Sequence, residues 1–97
     1  MSLFFFRLSP PRADFAQTMT PSEQEAMAAH QLYWQQLLVD GRAVVYGPVA
    51  DPEGVWGLGV LRAADRAEVL AIGANDPSVT AGVNTFDVFE ILGGTTG

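Results

Sequence analysis

Apolar residues fall in short runs separated by turn formers, and the spacing within the runs changes along the chain. Leu3 to Leu8 is dense in aromatic residues and bounded by Ser9-Pro10-Pro11, which predicts a first strand. Pro10 to Met19 has no period and reads as a loop. Thr20-Pro21-Ser22-Glu23 then opens a helix. Thr20 can cap it, Pro21 fills the first helical position without wasting a donor, and Glu23 completes a capping box. Met27, His30, Trp34 and Leu37 recur at helical spacing, so they share one face. The helix runs to about Asp40, where Gly41 stops it. Arg42 to Pro48 reads as a second strand and Val55 to Leu61 as a third. Asp51-Pro52-Glu53-Gly54 is the turn between them, making a hairpin. Ala64 to Asn75 predicts a second helix, with Ala67, Leu70, Ala71 and Ala74 along one side. Asp76-Pro77 ends it, because a residue before proline avoids the helical region. Ser78 to Gly82 is a short turn. Asn84 to Leu92 is a fourth strand, and Gly93 to Gly97 is a tail.

The order β-α-β-β-α-β implies a single α+β domain over residues 1–97. With right-handed crossovers it is a ferredoxin-like sandwich, a four-stranded antiparallel sheet carrying two helices on one face. A sheet with one wet face alternates apolar and polar residues. These strands do not: Leu3-Phe4-Phe5-Phe6, Val55-Trp56 with Leu58, Val60 and Leu61, and Phe86, Val88, Phe89 and Ile91 place apolar groups on both faces. Helices cover one face only, and the other would be a large exposed apolar patch. The pattern therefore predicts a homodimer through the open sheet face. The alternative is that the Pro10–Met19 loop and the tail cover it.

Composition narrows the function. The 97 residues are 48% hydrophobic and 16% charged, suited to one small folded domain. Five basic residues, all arginine, stand against eleven acidic ones, for a net charge of −6. That balance argues against a nucleic-acid partner, which needs a basic face. No run approaches the length of a membrane span, and no signal segment is evident, so neither a membrane partner nor export is expected. Cysteine is absent, which excludes disulfides and thiol chemistry and fits a cytoplasmic location.

His30 is the sole histidine. Mid-helix on an apolar stripe, it suits a core position as well as a catalytic one. It is also the only side chain whose unperturbed pKa lies near neutrality, so any general base is expected to be His30. One histidine without cysteine does not make a zinc site, and no loop has calcium- or magnesium-ligand spacing, so no metal is expected. Asp76 is the second candidate. Its plain role is to end a helix; its functional role would be to accept a hydrogen bond from one ring nitrogen of His30 and fix the tautomer. Ser9, Ser22 and Ser78 lack any nucleophile-elbow motif. Gly57-Leu58-Gly59 lacks the third glycine and the following helix of a dinucleotide site.

Ala29-His30 with Trp34, Asp40-Gly41, Gly47-Pro48, the hairpin tip with Asp51 and Gly54, Asn75-Asp76-Pro77 and Ala81-Gly82-Val83 occur in an order that resembles the YciI-like (YCII-related) domains over nearly the whole chain. The resemblance implies a dimeric α/β barrel akin to muconolactone isomerases and small cofactor-free monooxygenases. It also implies a His–Asp active site, roles that carry over to His30 and Asp76. The Pro10–Met19 loop is longer than in the shortest members.

Two kinds of function remain open. One is a cofactor-free enzyme for proton transfer, isomerisation or elimination on a small cyclic hydroxylated compound, with Trp34, Gly47 and Pro48 around the substrate; a cofactor-free monooxygenase is a weaker form of it. The other is a non-catalytic dimeric module for small ligands or partners, in which His30 is merely buried.

Overall fold

A computed structural model describes residues 1–97. The elements are β1 (Ser2–Ser9), α1 (Phe15–Thr18), α2 (Pro21–Val39), β2 (Ala43–Val49), β3 (Trp56–Ala63), α3 (Arg66–Ala74), α4 (Pro77–Thr80) and β4 (Thr85–Ile91). The strands form one sheet in the order β2-β3-β1-β4, every neighbouring pair antiparallel. This is the ferredoxin-like α+β arrangement. No helix is long and apolar enough to cross a membrane.

Local signals set the ends of α2. The Thr20 hydroxyl accepts from the Glu23 N–H, and the Glu23 carboxylate accepts from the Thr20 N–H at 2.9 Å, satisfying two donors of the first turn. At the other end Gly41 takes a φ of +78°, a left-handed conformation that glycine adopts without strain.

The side chains of β1 alternate between two environments. Phe4, Phe6 and Leu8 face the helices and form the core with Leu61, Ala63 and Val88 of the sheet, Trp34 and Leu37 of α2, and Val69 and Ile72 of α3. Phe6 stands opposite Gly59 of β3. The missing side chain there makes room for the Trp34 indole: a Cβ at position 59 would lie 2.5 Å from a ring carbon. The glycine inside this strand therefore answers a packing demand.

The other sheet face carries Leu3, Phe5 and Arg7, flanked by Arg62, Val60 and Leu58 of β3 and by Ile91, Phe89 and Asp87 of β4. Phe5 packs against Trp56 and Phe89, with ring centroids 6.2 and 6.0 Å apart, and Arg7 lies over the Trp56 ring at 4.5 Å. No helix covers this face, and Phe89 is 56% and Val45 44% exposed.

Three expectations change. The side of α3 bearing Ala67, Leu70, Ala71 and Ala74 faces outward, and Val69, Ile72 and Gly73 are the buried ones. Both sets have helical spacing; the sheet takes the one with branched bulk, and Gly73 lets Phe6 and Phe86 approach the helix closely. The Pro10–Met19 segment is not wholly loop, since Phe15–Thr18 form a helical turn. Nor does it cover the open face: Phe15, Ala16 and Met19 lie on the helix side, lining a cavity there. The tail covers part of the open face: Gly94 packs on Leu3 and Ile91, and Thr95 to Gly97 border a groove there with Val60 and Arg62 of β3.

Candidate functional site

The Met27–His30–Trp34 stripe of α2 faces the end of the sheet where β2 and β3 meet the 10–19 segment. Asp76, between α3 and α4, approaches the same stripe from the other side. His30 Nδ1 and Asp76 Oδ2 are 2.7 Å apart across 46 positions of sequence. The same oxygen accepts the Trp34 indole N–H at 2.8 Å. Oδ1 accepts two more bonds at 2.8 Å, from the Ser78 N–H and the Ser78 hydroxyl. The carboxylate is wholly buried, with 0% exposure, yet each oxygen has two donors.

Burial alone would push the Asp76 pKa up. The His30 hydrogen bond and charge outweigh it, aided by Trp34 and Ser78, and hold the carboxyl below its ordinary value. An ionised Asp76 accepts only, so His30 Nδ1 is the donor in this contact. That leaves Nε2 as the nitrogen available to the cavity His30 lines.

The cavity measures about 270 Å³. Phe6, Leu8, Phe15, Met27 and Trp34 supply much of its apolar wall, and Gly47 and Pro48 bound it from β2. The polar groups on it are few: His30, Tyr46 and Asn84, with Gln31 exposed at the rim. A dry engineered cavity of roughly 150 Å³ already holds benzene, so this one suits a single substituted ring rather than a large ligand.

The 10–19 segment closes one side and is held at both ends. Arg12 makes a two-pronged pair with Glu23, at 2.9 and 2.8 Å, and also donates to the Thr18 side chain and carbonyl. Arg12 and the Thr20 N–H pull the Glu23 pKa down to about 2, so the clasp stays charged at any ordinary pH. Gly54 lies directly against the Ala13 backbone, an approach a side chain would block. Asp51 serves the hairpin: it accepts from the Glu53 N–H and from the Trp56 indole, both at 2.9 Å.

A family model described as the YCII-related domain matches residues 3–92. The chain belongs to this family. No curated protein matches it. Among solved structures, it is similar to 5-chloro-2-hydroxyhydroquinone dehydrochlorinase (TftG) from Burkholderia phenoliruptrix AC1100 in complex with 2,5-dihydroxybenzoquinone, with a TM-score of 0.66 and 21% identity over 94% of this chain and 95% of that one. At that identity the likeness concerns the fold.

The five residues singled out from the sequence all border this site. His30 and Asp76 touch each other. Trp34, Gly47 and Pro48 line the cavity, although the Trp34 N–H is engaged by Asp76 and only its ring is free for a ligand. Sequence reasoning missed Ser78 as the anchor of Asp76. The signal was present, since a serine two positions after an aspartate is the arrangement in which the side chain caps a turn. It also missed Tyr46 and Asn84, which carry no motif and reach the cavity only through the fold.

Proposed function

We propose that this YCII-related domain is a proton-transfer enzyme, an isomerase or lyase, acting on a small hydroxylated ring without a cofactor, with His30 as the base and acid and Asp76 as its positioning residue. The observation that carries the reading is the 2.7 Å His30–Asp76 contact in the wall of an apolar, ring-sized cavity. Nε2 takes the proton of a ring hydroxyl, and the O–H electrons pass into the ring. The imidazolium that forms is stabilised by the ionised carboxylate against Nδ1–H, and the four bonds on that carboxylate stop it from turning away. The electron pair then returns to a ring carbon with the proton from His30, an isomerisation. Where that carbon bears a leaving group, loss of a further hydroxyl proton to His30 sends the next electron pair through the ring and expels the group as its anion, an elimination. Trp34, Phe6 and Leu8 keep water out of the step. The similar dehydrochlorinase, which binds a dihydroxybenzoquinone, supports this class of substrate.

The active form we propose is a homodimer through the open sheet face, because Phe5, Val45, Val60 and Phe89 form an apolar surface that no helix covers, with Val45 and Phe89 exposed.

The test is turnover of chlorinated hydroxyhydroquinones, read as chloride release and ring absorbance. His30→Ala lowers the rate at least about 100-fold, the usual scale of losing a positioned base, while the melting temperature shows the protein still folded. Unchanged turnover in a folded His30→Ala protein rejects the assignment.

A further inference from the structure

Asn84 is 5% exposed, and its side chain borders the same cavity as His30. Its backbone is fixed by a bond from its N–H to the Ser78 carbonyl at 3.0 Å, on the turn that Asp76 caps. Its side-chain Nδ2 lies 3.2 Å from the Met27 sulfur. A thioether accepts a hydrogen bond and has none to give, so this contact decides which end of the carboxamide meets Met27. The N–H end does, and the oxygen is left for the cavity with no donor from the chain. A carbonyl oxygen with no donor from the chain, on the wall of an apolar cavity, favours any ligand that brings a donor to it. His30 presents an acceptor as well, since Nδ1–H is given to Asp76.

We infer that Asn84 is a specificity-determining residue of this site, accepting a hydrogen bond from a second hydroxyl of the substrate ring. The inference rests on the proposed role of His30 and adds the group that reads the other side of the ring. The first hydroxyl gives its proton to His30. The second keeps its proton and donates to Asn84 Oδ1. A methoxy or keto oxygen in the second position places acceptor against acceptor and is rejected. The Tyr46 hydroxyl, which both donates and accepts, imposes no such choice.

Calorimetric affinities of hydroquinone, 4-methoxyphenol and 1,4-dimethoxybenzene test this on the wild type, Asn84→Leu, Asn84→Ala and Tyr46→Phe, with the melting temperature of each recorded. The wild type is expected to favour hydroquinone over 4-methoxyphenol roughly 10- to 100-fold, beyond its statistical advantage, and 4-methoxyphenol over 1,4-dimethoxybenzene. In Asn84→Leu the first preference disappears and the second remains. The alanine variant, which keeps the backbone bond to Ser78, gives the same answer if leucine does not fold. Full preference for hydroquinone in both folded Asn84 variants overturns the inference. So does loss of that preference in Tyr46→Phe instead, or a wild type that does not bind hydroquinone. Failure of the His30 reading leaves a different mark: the second preference is absent from the wild type and His30→Ala retains turnover.

Discussion

Asp76→Asn is the most informative single change, because it keeps the shape of the side chain and removes only charge and acceptor capacity. Each carboxylate oxygen accepts two hydrogen bonds, from His30 and Trp34 on one side and from the N–H and hydroxyl of Ser78 on the other. An asparagine has one oxygen and one NH2. If the NH2 takes the first place it faces the Trp34 indole N–H, and if it takes the second it faces the Ser78 backbone N–H. Either way one buried donor meets a donor. Leaving a buried group unsatisfied costs about 1–3 kcal/mol, and bonds to a charged acceptor lie toward the upper part of that range. We expect a destabilisation of about 2–3 kcal/mol, which for a domain of this size lowers the melting temperature by roughly 10 °C or more. The pH dependence has a definite sign. The Asp76 pKa in the folded chain is below its unfolded value, near 3.9 for an ordinary aspartate. Between the two values the unfolded chain binds more protons, so stability rises with pH there and is level above. The advantage of wild type over Asp76→Asn is therefore full above about pH 5 and shrinks as pH falls through the folded pKa. Thermal melts of both proteins from pH 3 to pH 7 read this directly. A melting temperature within about 2 °C of wild type at pH 7, or a gap that stays constant into acid, refutes the account of a buried, four-bonded carboxylate.

Two further changes probe the two sheet faces. Phe5→Glu places a charge at the centre of the uncovered face, between Trp56 and Phe89, and yields monomer or insoluble protein by light scattering at low micromolar concentration; a soluble dimer contradicts the proposed interface. Gly59→Ala drives a methyl group against the Trp34 ring, where a Cβ would lie 2.5 Å from it, and destabilises by about 1–3 kcal/mol while weakening ring ligands, because the same indole holds Asp76; an unchanged melting temperature counts against this packing.

Features whose cause lies within a few residues were legible from the chain alone. The capping box at Thr20–Glu23, the stop at Gly41 and the proline-bound turn at Asp51–Gly54 each depend on neighbours within one turn, and each forms where its motif stands. The aromatic density of Leu3–Phe6 on both parities predicted a first strand with apolar groups on both faces, because alternation along a strand is a local rule. The order of elements, with the handedness of crossovers, was then enough for the ferredoxin-like fold.

Periodicity was not enough to say which face of a helix turns inward when both carry apolar residues. In α3 the Ala67–Leu70–Ala74 side and the Val69–Ile72–Gly73 side have the same spacing. The choice is made by the fit of Gly73 against Phe6 and Phe86, residues of other elements. The site shows the same division. His30 and Asp76 were recognisable as chemical types on a helix stripe and at a helix end, and their pairing was an expectation carried by family resemblance. Their 2.7 Å contact, the second pair of bonds from Ser78, and the approach of Asn84 to Met27 across 57 positions depend on how α2 lies beside α4 over the sheet. Hydrogen bonds act over about 3 Å, whereas a sequence pattern constrains a side chain only relative to its own turn of helix or strand. Which distant side chains meet is settled by packing the whole core, and that is where this chain's buried carboxylate and ring-sized cavity arise.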